Sequence, residues 1–338
     1  MASSTASEAD ALNPGAPLFI YALRQVTEAA ALAACKWIGR GDKNRGDAAA
    51  VDAMRTALDR LPFSGTVVIG EGEKDEAPQL AKGLHVGGLS DGPQYDIAVD
   101  PVEGTTFLAN GQTNAMAVLA LAPRGAMFDP GPAFYMEKFA APAAARGAIE
   151  PDWPTARKLR TLSDILGKPV GKLTVFVLEK PRHRRLVEEI HAAGARVALY
   201  PAGDVAGAIV AASPDPSIDA LMGTGGTPEG IITACAIRAL GGAFMGRLDP
   251  QLPSEQIAVR DAGLDTRTWL PLEQLVQSSD VLFCATGITT GLLFDGVEKT
   301  DNLSRTQTLM ISGLTGERQL LTTTRPYAAE ATEEAPHA

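Results

Sequence analysis

Residues 96–106 read Asp-Ile-Ala-Val-Asp-Pro-Val-Glu-Gly-Thr-Thr, a short apolar run ending in a crowd of oxygen-bearing side chains. Ile97, Ala98 and Val99 fit a buried strand. Pro101 lacks an amide proton and Gly104 tolerates backbone angles closed to other residues, so a turn is expected, with neither strand nor helix running through it. Asp100, Glu103, Thr105 and Thr106 sit at the mouth of that turn. Two carboxylates and a hydroxyl at a strand's C-terminal end suit Mg²⁺ or Mn²⁺, which prefer oxygen ligands and leave room for phosphate and water. An isolated Asp-Pro would read as an ordinary acidic turn; the rest of the chain tips the balance.

A second acidic stretch has the same setting. The β-branched strand expected at 66–69 runs into Gly70-Glu71-Gly72-Glu73-Lys74-Asp75-Glu76. Alone this would be a solvated loop, but two strands ending in carboxylates can converge on one metal cluster. Phosphate-ester hydrolysis needs activated water, neutralised phosphate charge and a stabilised leaving alkoxide, and two divalent cations about 3.5–4 Å apart meet all three needs. The chain offers Asp47, Glu71, Asp100, Glu103 and Glu229 as ligands from separate segments. Asp47 reads equally well as a helix N-cap. Thr105 is placed to relay a proton from the attacking water to Asp75. No Ser-His-Asp nucleophile is visible, which favours direct attack by water.

Arg182, His183, Arg184 and Arg185 cluster where a helix begins, so amide protons and cations can grip an anion there; a solvated basic helix start is the plain alternative. Glu137 and Lys138 read as a surface ion pair. The glycine run at 223–230 lacks Gly-Lys-Ser/Thr and the dinucleotide spacing, so it reads as a strand-to-helix turn that brings backbone near a ligand and presents Glu229.

The elements that must position these groups follow from periodicity. Residues 18–37 form a helix with apolar positions at intervals of three and four, then the loop 39–47 carries Gly39, Gly41 and Gly46, and a second helix opens at Asp47. Residues 115–121 and 125–128 are expected to make a hairpin, and 134–139 to continue the same sheet. Strand 174–178, helix 182–193 and strand 196–200 make a parallel βαβ unit. A small-residue helix at 204–212, a strand at 219–222, a helix at 230–240, a strand at 281–285 and a closing hairpin, 307–312 with 319–323, complete the α/β pattern. The best boundary is 147–155, giving a metal-binding catalytic domain at 18–150 and a substrate-completing α/β domain at 151–326. The tails 1–17 and 327–338 read as disordered, and the first has no basic start or apolar run of a signal peptide.

Composition narrows the classes. The chain has 338 residues and a net charge of -10, with 30 Lys+Arg against 40 Asp+Glu, which argues against nucleic acid as the main partner. No membrane span is visible. Cys35, Cys235 and Cys284 are scattered and unpaired in spacing, which fits buried thiols in a reducing compartment, the cytoplasm by default, and not a zinc site.

In order, Lys36-Trp37-Ile38-Gly39-Arg40-Gly41-Asp42-Lys43-Asn44, Val68-Ile69-Gly70-Glu71-Gly72-Glu73, Asp75-Glu76-Ala77-Pro78 and the 96–105 stretch are followed by four further matches. These are Tyr135-Met136-Glu137-Lys138, Lys180-Pro181-Arg182-His183, Pro228-Glu229-Gly230 and Ala285-Thr286-Gly287-Ile288-Thr289. The series resembles the class II fructose-1,6-bisphosphatases, the bacterial type within the lithium-sensitive, metal-dependent sugar phosphatases. The resemblance implies a layered α/β sugar-phosphatase fold, Mn²⁺ or Mg²⁺ as cofactor, a homo-oligomer (dimer or tetramer), and hydrolysis of the 1-phosphate of fructose 1,6-bisphosphate in gluconeogenesis. It implies Asp47 and Glu71 on one metal and Asp100, Glu103 and Glu229 on another. It places Glu103, Gly104, Thr105, Tyr135, Arg182, His183, Arg184, Gly203, Asp204 and Gly226 on substrate, and Lys43, Asp75 and Thr105 in catalysis. Ala202 departs from a common Asp-Gly-Asp in the substrate loop, which keeps sedoheptulose 1,7-bisphosphate open as substrate, alone or in addition. A non-catalytic sugar-phosphate sensor and a nucleotide-binding protein are the alternatives of other classes.

Overall fold

The structure, a computed structural model, describes residues 18–70, 79–214 and 217–326. Helix α1 (Phe19–Ala34) continues into a 3₁₀ turn at Cys35–Trp37, and α2 spans Lys43–Leu58. The second helix begins four residues before the expected Asp47. Asp42 is its N-cap, accepting a 3.0 Å hydrogen bond from the Arg45 amide, so Asp47 lies a turn inside the helix and its carboxylate is not the cap.

Strands β1 (Ser64–Ile69) and β2 (His85–Val86) precede β3 (Gln94–Glu103), which does run through Pro101, contrary to expectation. Its register against β4 (Met116–Pro123) shifts between Asp100 and Glu103. A proline at such an irregularity forfeits no ladder bond. Gly104, with φ of 85°, then turns the chain directly into the short helix α3 (Thr105–Asn110). Residues 125–128 form no strand; Met127 makes only an isolated bridge to Val276.

The second half holds β5 (Tyr135–Ala141), α4 (Thr155–Leu166), β6 (Thr174–Leu178), α5 (Arg184–Ala192), β7 (Arg196–Tyr200) and α6 (Val205–Ala212). It continues with β8 (Ala220–Gly226), α7 (Thr227–Leu240), β9 (Ala243–Leu248), α8 (Pro253–Asp261), β10 (Leu270–Pro271) and β11 (Leu282–Gly287). Strands β12 (Glu298–Lys299), β13 (Leu303–Ser312) and β14 (Glu317–Pro326) close it. An eight-stranded sheet runs β2-β1-β3-β4-β11-β13, with β12 and β14 both on β13; a six-stranded sheet runs β10-β9-β5-β8-β6-β7. The β6–α5–β7 unit is parallel as expected. Strand β5 belongs to the second sheet, between β8 and β9, and β11 to β14 return to the first. The sheets therefore do not divide near residue 150, because their pairings join segments more than a hundred residues apart.

Side-chain alternation along the strands builds the layers. On β3, Ile97 and Val99 pack with α1 and α2, while Ala98 faces the opposite side, toward α6 and α7. On β5, Met136 and Ala140 face the same α6–α7 layer, while Phe139 and Ala141 pack outward with Leu159 and Leu162 of α4 and Ile190 of α5. The result is helix, sheet, helix, sheet, helix, with α6 and α7 sandwiched in the middle. That position explains their composition: every residue of α6 is buried. By the same alternation Asp100 on β3 and Lys138 on β5 point at the middle layer.

Close approach in that layer rests on small residues. A Cβ on Gly207 of α6 would meet the Phe176 ring at 2.5 Å, and that ring stacks on Tyr200 at 4.9 Å. Replacing a mid-helix glycine by alanine ordinarily stabilises by about 1 kcal/mol, whereas overpacking a filled core costs about 1–3 kcal/mol. Gly207→Ala should therefore lower the melting temperature, and a denaturant titration showing increased stability would contradict this packing.

Candidate active site

A cavity of about 460 Å³ opens where the end of β3 meets the starts of α2, α3 and α7. Its lining includes Lys43, Asn44 and Asp47 from α2, Gly70 after β1, Asp100 and Glu103 from β3, and Gly104, Thr105 and Thr106 at the start of α3. Ala202 and Gly203 before α6, and Pro228 and Glu229 on α7, complete the wall. Glu71 and Asp75 lie outside the described residues; Gly70, which directly precedes Glu71, is at the rim.

Three carboxylates converge there. One oxygen each of Asp100, Glu103 and Glu229 lies within 4.8 Å of the others. The chain turns that bring them together are local. Asp100 Oδ1 accepts a 3.0 Å bond from the Val102 amide, which holds the irregular end of β3. Gly203, with φ of 68°, lets the loop before α6 close over Glu103. Glu229 stands in the first turn of α7, beside Gly226, where an added Cβ would fall 1.8 Å from Glu229 Oε2.

The electrostatics ask for a cation. Burial, then the neighbouring Glu229 and Asp204 carboxylates, push the Glu103 carboxyl up to about 8, against the pull of a hydrogen bond with Asp100 and of Lys138. Burial also raises Glu229. Its Oε2 is fully buried and has no hydrogen-bond partner among the described residues. Carboxylate donors whose charged forms repel one another, one of them with an unsatisfied oxygen, fit a hard divalent cation that would displace the proton. Asp47 borders the same cavity, and Lys43 Nζ donates a 3.0 Å bond to Thr106 Oγ1 at its edge.

The other expected substrate contacts form a neighbouring patch. Tyr135 pairs in register with Gly226, and the Arg182 guanidinium lies 5.1 Å from the Tyr135 ring centroid while donating two hydrogen bonds to the Thr224 carbonyl, at 3.0 and 2.7 Å. Arg184 is exposed and does not line the cavity. His183 is buried with both ring nitrogens engaged: Nε2 accepts from the Thr224 amide at 2.8 Å, so Nδ1 carries the proton and donates to the Leu178 carbonyl at 2.7 Å. Burial lowers its basicity. It braces the arginine segment against β8. Asp204 is also buried, with both oxygens on Lys138 Nζ at 2.9 and 2.7 Å.

Lys138 is the residue that the reading of a surface pair misplaces. It is 1 % exposed, whereas Glu137 on the outer face pairs with Arg247. The signal was present: Met136, Lys138 and Ala140 alternate with Phe139 and Ala141, which puts the ammonium on an inward face. The glycine run also differs from expectation. Gly223 to Gly226 lie in β8, extended and paired with β5, and do not form a turn. An added Cβ would stand 2.8 Å from His183 at Gly223 and 2.0 Å from Asp204 at Gly225, so these positions admit buried polar side chains. Being strand, residues 223–226 supply no phosphate-cradling loop for a nucleotide.

The family described as "Bacterial fructose-1,6-bisphosphatase, glpX-encoded" matches residues 18–325. The chain belongs to this bacterial fructose-1,6-bisphosphatase family. It is 44% identical over 302 residues to fructose-1,6-bisphosphatase 1 class 2 of Escherichia coli K12, covering 86% of this chain and 89% of that protein. The class 2 fructose-1,6-bisphosphatase of Shigella flexneri is similar to the same extent. Within the bisphosphatase family match lie all the converging groups, including Lys138 and Asp204.

The raised Glu103 pKa sets a pH dependence for the metal-free protein. The folded state holds a proton that the unfolded chain releases near the ordinary 4.5, so this group's stabilisation is full below that pH and lost as pH rises through about 8. A divalent cation must displace that proton at pH 6 but much less of it at pH 8. Mn²⁺ at a fixed concentration about a hundredfold above its pH 8 Kd should stabilise by about 2.7 kcal/mol at pH 8, and that same concentration should give a smaller rise in melting temperature at pH 6; equal shifts at the two pH values would contradict the cluster's role.

Proposed function

We propose that the protein is a divalent-metal-dependent phosphatase that hydrolyses fructose 1,6-bisphosphate to fructose 6-phosphate and phosphate, in gluconeogenesis. The observation that carries this reading is the convergence of Asp100, Glu103 and Glu229 on a cavity shared with Lys43, Asp47 and Thr105. Family membership supports the substrate class, and the Tyr135–Arg182 patch next to Gly226 offers a cation and a hydroxyl for the second phosphate.

Asp100, Glu103 and Glu229 would hold Mn²⁺ or Mg²⁺, with Asp47 and Glu71 on a second ion. Bound divalent cations neutralise phosphate charge and make water a better nucleophile near neutral pH. Lys43, steered by Thr106, adds a positive charge at the cavity edge where the 1-phosphate sits. The water oxygen attacks phosphorus, the bond from phosphorus to the C1 oxygen breaks, and the C1 oxygen takes up a proton. Thr105 passes the proton lost by water to Asp75. Cys235 and Cys284 take no part: burial raises both, far from nucleophilic thiolates. Cys35, Cys235 and Cys284 are all free, which fits a reducing cytoplasm. Among the described residues no helix is long and apolar enough to cross a membrane.

Ala202 lines the cavity and brings no carboxylate to the sugar, which favours testing the seven-carbon bisphosphate beside fructose 1,6-bisphosphate. Phosphate release should require Mn²⁺ or Mg²⁺, and no turnover of the fructose ester under either ion would refute the assignment. Asp100→Asn should cut kcat by about a hundredfold or more with an unchanged circular dichroism spectrum; retention of more than about a tenth of the activity would remove Asp100 from the metal site. Millimolar Li⁺ should inhibit, and a lithium titration with no effect would count against the shared metal chemistry.

A further inference from the structure

A buried ammonium must find an anion, and Lys138 has several to choose from. It is 1 % exposed, and it acts electrostatically on both Glu103 and Glu229. Yet among the described residues the two hydrogen bonds it makes both go to Asp204, at 2.9 and 2.7 Å, and Glu229 Oε2 has no hydrogen-bond partner there. The packing enforces that choice. A Cβ at Gly225 would lie 2.0 Å from Asp204 Oδ2 and 3.1 Å from Lys138 Nζ, so the pair rests directly on the β8 backbone. Glu229 rests in the same manner on the next residue, Gly226. At Gly230 on α7 a Cβ would come within 3.1 Å of Lys138 Cε, which fixes the stem of the lysine as well.

We infer that Asp204 is a positioning residue that holds the Lys138 ammonium off Glu229 and Glu103, leaving their oxygens free for a divalent cation. Without Asp204, the ammonium would turn to the nearest buried carboxylates and occupy the cation's ligands. Direct binding of sugar by Asp204 is the competing role, and it requires a residue that is here 5 % exposed, with both carboxylate oxygens bonded to lysine. The inference rests on the reading that the three converging carboxylates hold a divalent cation.

Two variants of the full chain, Asp204→Asn and the double variant Lys138→Met with Asp204→Asn, separate the roles. Mn²⁺ affinity is measured calorimetrically without substrate, followed by KM and kcat on fructose 1,6-bisphosphate. Asp204→Asn should weaken Mn²⁺ about tenfold or more, and the double variant should recover to within about threefold of wild type. Unchanged Mn²⁺ affinity in Asp204→Asn with a raised KM overturns the inference in favour of sugar binding. Failure of the double variant to recover also overturns it. If Asp204→Asn does not fold, because it strands a buried ammonium, the double variant decides alone: near-wild-type Mn²⁺ affinity and KM support the inference, and loss of either overturns it. The wild-type titration reports separately on the cation reading. Absence of Mn²⁺ uptake there ends both, whereas uptake unaffected by Asp204→Asn ends this inference only.

Discussion

Like charges held together away from water set the terms for this molecule. Asp100, Glu103 and Glu229 bring oxygens within 4.8 Å of one another in a half-buried pocket, where two full charges at such spacing repel by about 3 kcal/mol at an effective dielectric of 20. Asp204 lies close enough to raise the proton affinity of two of them. A protein can hold that arrangement by protonating a carboxyl, by adding a buried cation, or by binding a metal ion. The chain does the first at Glu103 when metal-free and the second through Lys138, and the oxygens that remain are those a divalent cation satisfies.

The five-layer build follows from the same requirement. Carboxylates from β3 and α7 and an ammonium from β5 meet only because two sheets present their inner faces to one helical layer. That layer must be thin for the sheets to share a site, so α6 and α7 are rich in alanine, glycine and small β-branched residues, and aromatics make up only 5% of the chain. Strand β8 carries the idea furthest. Its glycines leave open the space that the side chains of His183, Asp204 and Glu229 fill, so a run that resembles a ligand-binding loop is a strand hollowed out for polar neighbours.

Much of this was legible in the chain's own order of residues. The apolar run into Asp100 and Glu103, the glycine before Thr105, and Glu229 at a helix start are local signals, and the structure brings all three carboxylates to one cavity. Helix α1, the β6–α5–β7 unit and the β13–β14 hairpin likewise follow from short-range periodicity. Local rules failed where the chain defied its own punctuation. Pro101 reads as a stop, but at a register shift its missing amide costs nothing. Asp47 reads as a helix start because the glycines before it read as loop, although Asp42 supplies the cap.

What the sequence determined by itself is the inventory: which acids end strands, which helices are amphipathic, and which series of motifs marks a sugar phosphatase. Tertiary structure alone decided that β5 leaves the first sheet, that the inward Lys138 finds Asp204 as its partner, and that His183 spends both nitrogens on the backbone. Those outcomes depend on pairings between segments far apart in the chain. Strand alternation tells which residues share a face, but only the partner sheet tells whether that face meets water or a buried carboxylate.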